Sequence, residues 1–437
     1  MLKHRMFLTA VGFCSFLVVS ACSSDKIIPQ GKRLSVLEQT AVIKPEVSDV
    51  ERIISVPVAV KNANWLQPEM NAQHIIPNIE AGTSFQKQWA ASFGSGSSKR
   101  EFLISKPLVA NGVVYGLDAK ARLSAINLRD GEKLWSVNIT SVNSNVNDTA
   151  LKGVGMAIDN EVVFVTTGFG FVAALKADDG EKIWSRDLIS PLRIAPMVAG
   201  GKVFVQSVDN KFYALDAASG EILWDYDIAM EDTTMVGGAV AAYSPSLDVV
   251  LTGFSNGEIQ SFNATIGSPL WSDILVANRQ AYSSTFLHTI KASPVIDGET
   301  AYILGSSNVF TAVDIRSGER LWEKEIGGVN TPLLVNNVLY AVSSDNELVA
   351  LDKSNGNVLW SVPVKGAKKN RAVVYAPIML SGRLVVAASN GVVTSYDPKS
   401  GKLLGTVDLD EDLNSAPIAS DGYIIFSTAK AELLAYK

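Results

Sequence analysis

The stretch Thr311–Trp322 reads Thr-Ala-Val-Asp-Ile-Arg-Ser-Gly-Glu-Arg-Leu-Trp, and its reading decides the fold. The alternation over Thr311–Asp314 suits a short strand. Ser317-Gly318 supplies a turn, because glycine takes φ > 0 without steric cost. Glu319–Trp322 opens a second strand and ends on a large aromatic anchor. The unit is a hairpin with a tryptophan just past its turn.

The same unit recurs at Ser124–Trp135, Ala173–Trp184, Tyr213–Trp224 and Val349–Trp360. Two copies are worn: Ser261–Trp271 is one residue shorter, and Thr394–Gly405 carries glycine where the tryptophan belongs. Trp89 ends a pattern that has no beginning, and Leu433–Tyr436 begins one that has no end. The anchors are therefore Trp89, Trp135, Trp184, Trp224, Trp271, Trp322, Trp360 and Gly405, with a mean spacing of (405 − 89)/7, about 45 residues.

A period of roughly 40–50 residues with four short strands marks a β-propeller blade. The expected fold is all-β, an eight-bladed β-propeller of four-stranded antiparallel blades. Seven blades are complete in sequence. The eighth takes three strands from the C-terminal end and its fourth from Phe85–Ala91, so N- and C-terminal strands close the ring. Pro107, Pro196, Pro294, Pro332, Pro377 and Pro417 stand where innermost strands should begin, a place that tolerates the missing N–H. Turn pairs follow them, among them Asn111-Gly112, Asp159-Asn160, Gly200-Gly201, Ser381-Gly382 and Asp421-Gly422. The tryptophans are expected to wedge between neighbouring blades as structural anchors.

The 437 residues are 47% hydrophobic and 19% charged, which fits a packed globular chain. A net charge of −6 argues against a nucleic-acid partner, whose affinity rests on basic groups. Both cysteines, Cys14 and Cys22, precede the repeats, so the ring has neither a disulfide nor a thiol nucleophile. Lys3, His4 and Arg5 come before an apolar run, Met6–Val19, that is short for a membrane span and has the layout of a secretory signal peptide. Three segments are expected: a signal peptide over 1–21, a lipidated N-terminal tether over 22–81, and the propeller over 82–437; within the tether, residues 23 to about 60 should have little fixed structure and Asn62–His74 more. Trp65 is the tether residue expected to pack on the ring. The propeller itself is expected to be monomeric.

Catalytic chemistry is hard to find. The histidines, His4, His74 and His288, have no metal-ligand spacing. No Gly-x-Ser-x-Gly or P-loop pattern appears. Asp178-Asp179 and Asp410-Glu411-Asp412 lie in or near turns, where aspartate shapes the backbone.

Two resemblances follow from these residues. The Ala-x-Asp…Gly…Trp repeat resembles that of quinoprotein alcohol and glucose dehydrogenases, which implies a quinone cofactor and Ca²⁺ at the ring centre. The chain lacks the adjacent cysteines of the alcohol dehydrogenases in that group. The fuller match is to the BamB family of lipoproteins in the outer-membrane β-barrel assembly (BAM) complex. Val19-Ser20-Ala21-Cys22 resembles a lipobox, and the tether and eight-bladed ring follow it. That resemblance implies a lipid on Cys22, the outer membrane as location and its periplasmic face as the side occupied. It also implies a non-catalytic role in inserting outer-membrane proteins, with no cofactor. The implied partners are the POTRA domains of the barrel-forming subunit BamA and other subunits of the complex. In that family a loop carrying a Leu-Arg pair contacts BamA; here the pair is Leu192-Arg193, expected in an exposed loop. A second, acidic contact would fall near Thr289–Lys291, where the acids are absent. The alternatives are a quinoprotein-like periplasmic dehydrogenase and a carbohydrate- or peptidoglycan-binding propeller.

Overall fold

The computed structural model describes residues 43–437 except 49, 51, 140–151, 230–236, 276–287 and 367–371. The expected signal peptide and Cys22 lie outside the described residues.

Eight antiparallel four-stranded sheets follow one another as blades. Blades one to seven each use four consecutive strands, from Leu108–Ala110 through Lys133–Asn138 in the first to Ile378–Leu380 through Leu403–Asp408 in the seventh. In the eighth, Lys87–Ser92 joins the C-terminal strand Glu432–Tyr436, with Trp89 opposite Ala435. The ring is therefore sealed by both ends of the repeat region, as the two half-patterns require.

Local chemistry sets the blade. The six prolines each stand one residue before the innermost strand of their blade, as at Pro196 before Met197–Ala199. The turn after that strand takes left-handed backbone, at Asn111 and Gly112 with φ of 50° and 76°. One turn shifts: the left-handed pair expected at Asp159-Asn160 is Asn160-Glu161. The hairpin that opened the reading spans Val309–Asp314 and Arg320–Lys324, with Ala312 opposite Trp322 and a bulge beside it. Gly318 turns it at φ 75°.

Each of the seven anchor tryptophans lies over the turn glycine of the following blade. Trp89 faces Gly131, Trp135 faces Gly180, Trp184 faces Gly220, and the series continues to Trp360 on Gly401. The indole N–H usually donates to a carbonyl of that same turn, as Trp224 Nε1 does to Ala264 O at 3.0 Å. Trp360 and Trp322 are buried, whereas Trp135, Trp184, Trp224 and Trp271 are half-buried. The wedge is thus an interface between blades, with one side of the ring system left toward solvent.

The segment before the ring departs from expectation. The described residues of 43–60, expected to be loose, share the compact unit of the propeller, as the more structured Asn62–His74 also does. Between Ile53 and Gly82 this belt hydrogen-bonds the turn end of every blade. Val109, Ile158, Val198, Tyr243 and Ile296 meet Trp65, Leu66, Gln67, Ala72 and Gln73 in the first five. Asn337 holds Ile53 O in the sixth, Met379 O receives Ile79 N–H in the seventh, and Asp421 N–H donates to Asn62 O in the eighth. Trp65 is buried on the ring, as expected. Buried backbone groups need partners, and the belt finds them one blade at a time.

Candidate partner-docking face

A propeller has two unequal faces. Innermost strands run from the loops that enter each blade to the turns that leave its first strand. The belt crosses the turn side. Its Pro68 and Glu69 form the floor of a cavity of about 280 Å³ on the ring axis, walled by the entry segments of all eight blades. Among the described residues the channel is therefore closed at the belt and open on the loop side.

Three cations stand in that cavity. Lys106 Nζ lies 2.7 Å from Glu69 Oε1. Glu69 Oε1 also accepts from Thr331 Oγ1 at 3.1 Å, which ties the belt to the sixth blade. Arg193 donates through Nε and Nη2 to Gly237 O at 3.0 and 2.9 Å. Lys291 reaches the same glycine from the fifth blade, and the water lost along the wall, together with nearby Lys106, holds its ammonium below the usual lysine range. Among the described residues, the floor carboxylate of Glu69 is the only acid lining the cavity.

The Leu192-Arg193 pair, expected in an exposed loop, lies on the loop face with both side chains buried. Leu192 is buried among Leu188, Val205 and Tyr213, and its backbone bridges Ser207. Arg193 is buried by its bond to Gly237 O across to the next blade. The physical reason is the bridge: it pulls the loop inward at 192, where the cluster needs an apolar plug. Sequence reasoning passed over Ile189 in the same loop. It is 102% exposed, at φ 65°. A β-branched residue in left-handed backbone is strained, and an exposed isoleucine held there is a feature that solvent alone does not reward.

Elsewhere the candidates are quieter. His74 is buried in the belt, its Nδ1 2.6 Å from Pro294 O. His288 Nδ1 pairs with Ser307 Oγ at 2.8 Å. Among the described residues, no three His, Cys, Asp or Glu side chains gather as metal ligands, and no helix is long and apolar enough to cross a membrane.

Comparison with known proteins adds the family. A family profile described as outer membrane protein assembly factor BamB matches residues 141–362 and 367–437. The assembly factor BamB of Yersinia pestis is 25% identical over 354 residues, 80% of this chain and 88% of that one. The crystal structure of BamB from Moraxella catarrhalis superposes with a TM-score of 0.62 at 18% identity, over 80% of this chain and 98% of that one. A quinohemoprotein alcohol dehydrogenase from Pseudomonas putida has a TM-score of 0.69 at 15% identity, over 88% and 83%. Those two likenesses are of fold. Ca²⁺ takes about 6–8 oxygen ligands; the described lining of the axial cavity offers one carboxylate, already bonded to Lys106, and does not itself make a Ca²⁺ and quinone centre.

Proposed function

Because the chain belongs to the BamB family of outer-membrane protein assembly factors, we propose that it is a non-catalytic docking subunit of the assembly machinery, anchored by a lipid on Cys22 once residues 1–21 are removed. It sits at the periplasmic face of the outer membrane and holds the POTRA domains of BamA within the complex. One observation carries the reading. The belt closes one face of the ring, so the axial cavity and the loop at 187–196 share the face left open. A rigid ring with one available face is suited to hold a partner in place.

In that loop Ile189 is the anchor, an exposed apolar group of the kind that fills a partner's pocket. Leu192 and Arg193 are its base: they fix the loop to the second and third blades and so present Ile189. Replacing Ile189 by Asp tests this without threatening the fold, since Asp tolerates left-handed backbone better than a β-branched residue. Affinity for purified POTRA domains should fall about tenfold or more, while the melting temperature holds or rises. Unchanged affinity would remove this loop from the interface. Cys22→Ser should move the protein to the soluble fraction; retention in membranes would refute the anchor.

A further inference from the structure

We infer that the docking loop is the middle of an apolar ridge, Phe169–Ile189–Val208, with exposed acids beside it, and that the partner surface it fits is an apolar groove bordered by lysine or arginine side chains; this rests on the docking reading above. The ridge breaks the molecule's own repeat. On the loop face each blade turns from its second to its third strand through a residue in left-handed backbone, such as Gly170 in the second blade and Asn210 in the third. The residue before that position is polar or charged in seven blades, from Lys120 in the first to Lys430 in the eighth, and is Phe169 in the second. The residue two before it is alanine, glycine or serine in seven blades and is Val208 in the third. The loop at 187–196 joins these same two blades and carries the exposed Ile189. Two neighbouring blades therefore depart from the repeat on one face and beside one loop.

The ridge is fixed before any partner arrives. Leu188 N–H donates to Gly170 O at 2.7 Å, which sets the loop against the turn that carries Phe169. Val208 N–H donates to Pro191 O at 2.8 Å, which sets the loop against the other turn. Phe169 is half-buried with its ring stacked on Phe171, while Ile189 and Val208 are exposed. Little ordering is left for the moment of binding, so the apolar area here is not offset by the cost of freezing a mobile loop. Charge then sets what the rim of the groove carries. Asp187, two residues before Ile189, and Asp209, next to Val208, are exposed, and neither forms an ion pair among the described residues. The bases nearest in sequence point elsewhere. Arg186 Nε donates to Gly220 O at 2.7 Å, Arg193 is buried toward Gly237 O, and Lys211 Nζ lies 2.6 Å from Asp225. The segments that lead into the second blade and out of the third, 140–151 and 230–236, contain Asp148, Glu231 and Asp232 and no lysine or arginine, so they bring no base to this side. An apolar ridge with acids beside it is complementary to an apolar groove with a basic rim.

The test is binding of purified POTRA domains to the mature chain carrying Cys22→Ser, at low and at high salt. Val208→Ser should weaken binding about threefold or more, because it removes apolar area and nothing else. Asp187→Asn combined with Asp209→Asn should weaken binding about threefold or more at low salt, through slower association. The same pair should flatten the loss of affinity that wild type shows between about 0.05 and 0.5 M salt. Asparagine at 209 keeps an acceptor for the Ser207 hydroxyl, and both positions are exposed, so the pair keeps the fold. If the asparagine pair binds as wild type does, with the same salt dependence, the basic rim is overturned. Tighter binding by that pair would mark an acidic groove and overturn it as well. If Val208→Ser binds as wild type does, the ridge is overturned. In each of these cases a loss of affinity in Ile189→Asp leaves the docking reading standing. If wild type binds no POTRA domain, the docking reading falls and the inference falls with it.

Discussion

Gly267→Ala is the perturbation that tests how the blades are joined. Gly267 turns the fourth blade's hairpin at φ 73°. A Cβ there would stand 2.5 Å from Trp224 Cδ2 and Cγ and 2.9 Å from its Cβ. Two costs add. Alanine in left-handed backbone costs about 1–2 kcal/mol. Carbon atoms pack best at about 3.5–4.0 Å, so the indole must retreat by about 1 Å. That retreat strains its bond to Ala264 O, and overpacking of this kind costs about 1–3 kcal/mol. The sum is about 2–5 kcal/mol. Gly382→Ala is the control: φ is 78°, but nothing lies within 4 Å of the added carbon, so only the backbone cost of about 1–2 kcal/mol applies. The assay is urea unfolding of both variants with the slope checked for a shared transition. In a Trp224→Ala background the excess of Gly267→Ala over the control should shrink, since the two 2.5 Å contacts go and only the 2.9 Å contact to the retained Cβ remains. Equal losses for Gly267→Ala and Gly382→Ala in the wild-type background would refute the wedge.

Two further outcomes follow from the belt. Trp65→Ala removes a buried indole from the first blade's innermost strand and should cost about 3–5 kcal/mol, with new protease cleavage between 53 and 81; an uncut belt would contradict its role as a fastening. His74 is buried, and burial lowers its pKa despite the opposing pull of Glu69 and Pro294 O. Its unfolded value is about 6.5, so its contribution is fully present above that pH. It is lost as pH falls below that value toward the lowered folded pKa, by up to about 1.4 kcal/mol per pH unit. The melting temperature should drop between pH 7 and pH 5, and His74→Asn, which tolerates φ 63°, should flatten the drop; an identical profile in the variant would sink this assignment.

The ring was legible in the sequence because its signals are local and repeated. A turn glycine and a tryptophan four residues on recur in register, and the structure stacks each tryptophan on the next blade's glycine. The closure was legible as well, since Trp89 and Leu433–Tyr436 are halves of one pattern. The belt was not. Its contacts are a few hydrogen bonds to each blade in turn, made at irregular intervals along the segment, so no periodicity marks it, and Pro57, Pro68 and Pro77 imitate a linker. Leu192-Arg193 was legible as a place but not as a state of burial. Spacing locates a loop; whether its leucine turns in depends on the bridge to Ser207 and on a vacancy in the cluster beneath. Ile189 carried no signal, because left-handed backbone at isoleucine is set by tertiary context.

The outer edge of the ring shows why the N-terminal segment decides which approaches remain. In six blades the residue before the anchor position is apolar and between 46% and 54% exposed: Leu134, Ile183, Leu223, Leu270, Leu321 and Leu404. In the sixth blade the equivalent Leu359 is 3% exposed. Glu46 explains the exception. Its N–H donates to Val358 O at 2.8 Å, and its carboxylate accepts from Val358 N–H at 2.9 Å and from Lys324 of the fifth blade at 2.7 Å. One glutamate thus pairs with an outer strand and clamps two blades. Outer strands offer unpaired backbone groups to any extended chain, and here the protein's own chain has taken one of them before going on to shut the channel. Among the described residues it leaves open the loop face with Ile189, so a partner that needs an apolar anchor meets it on that side.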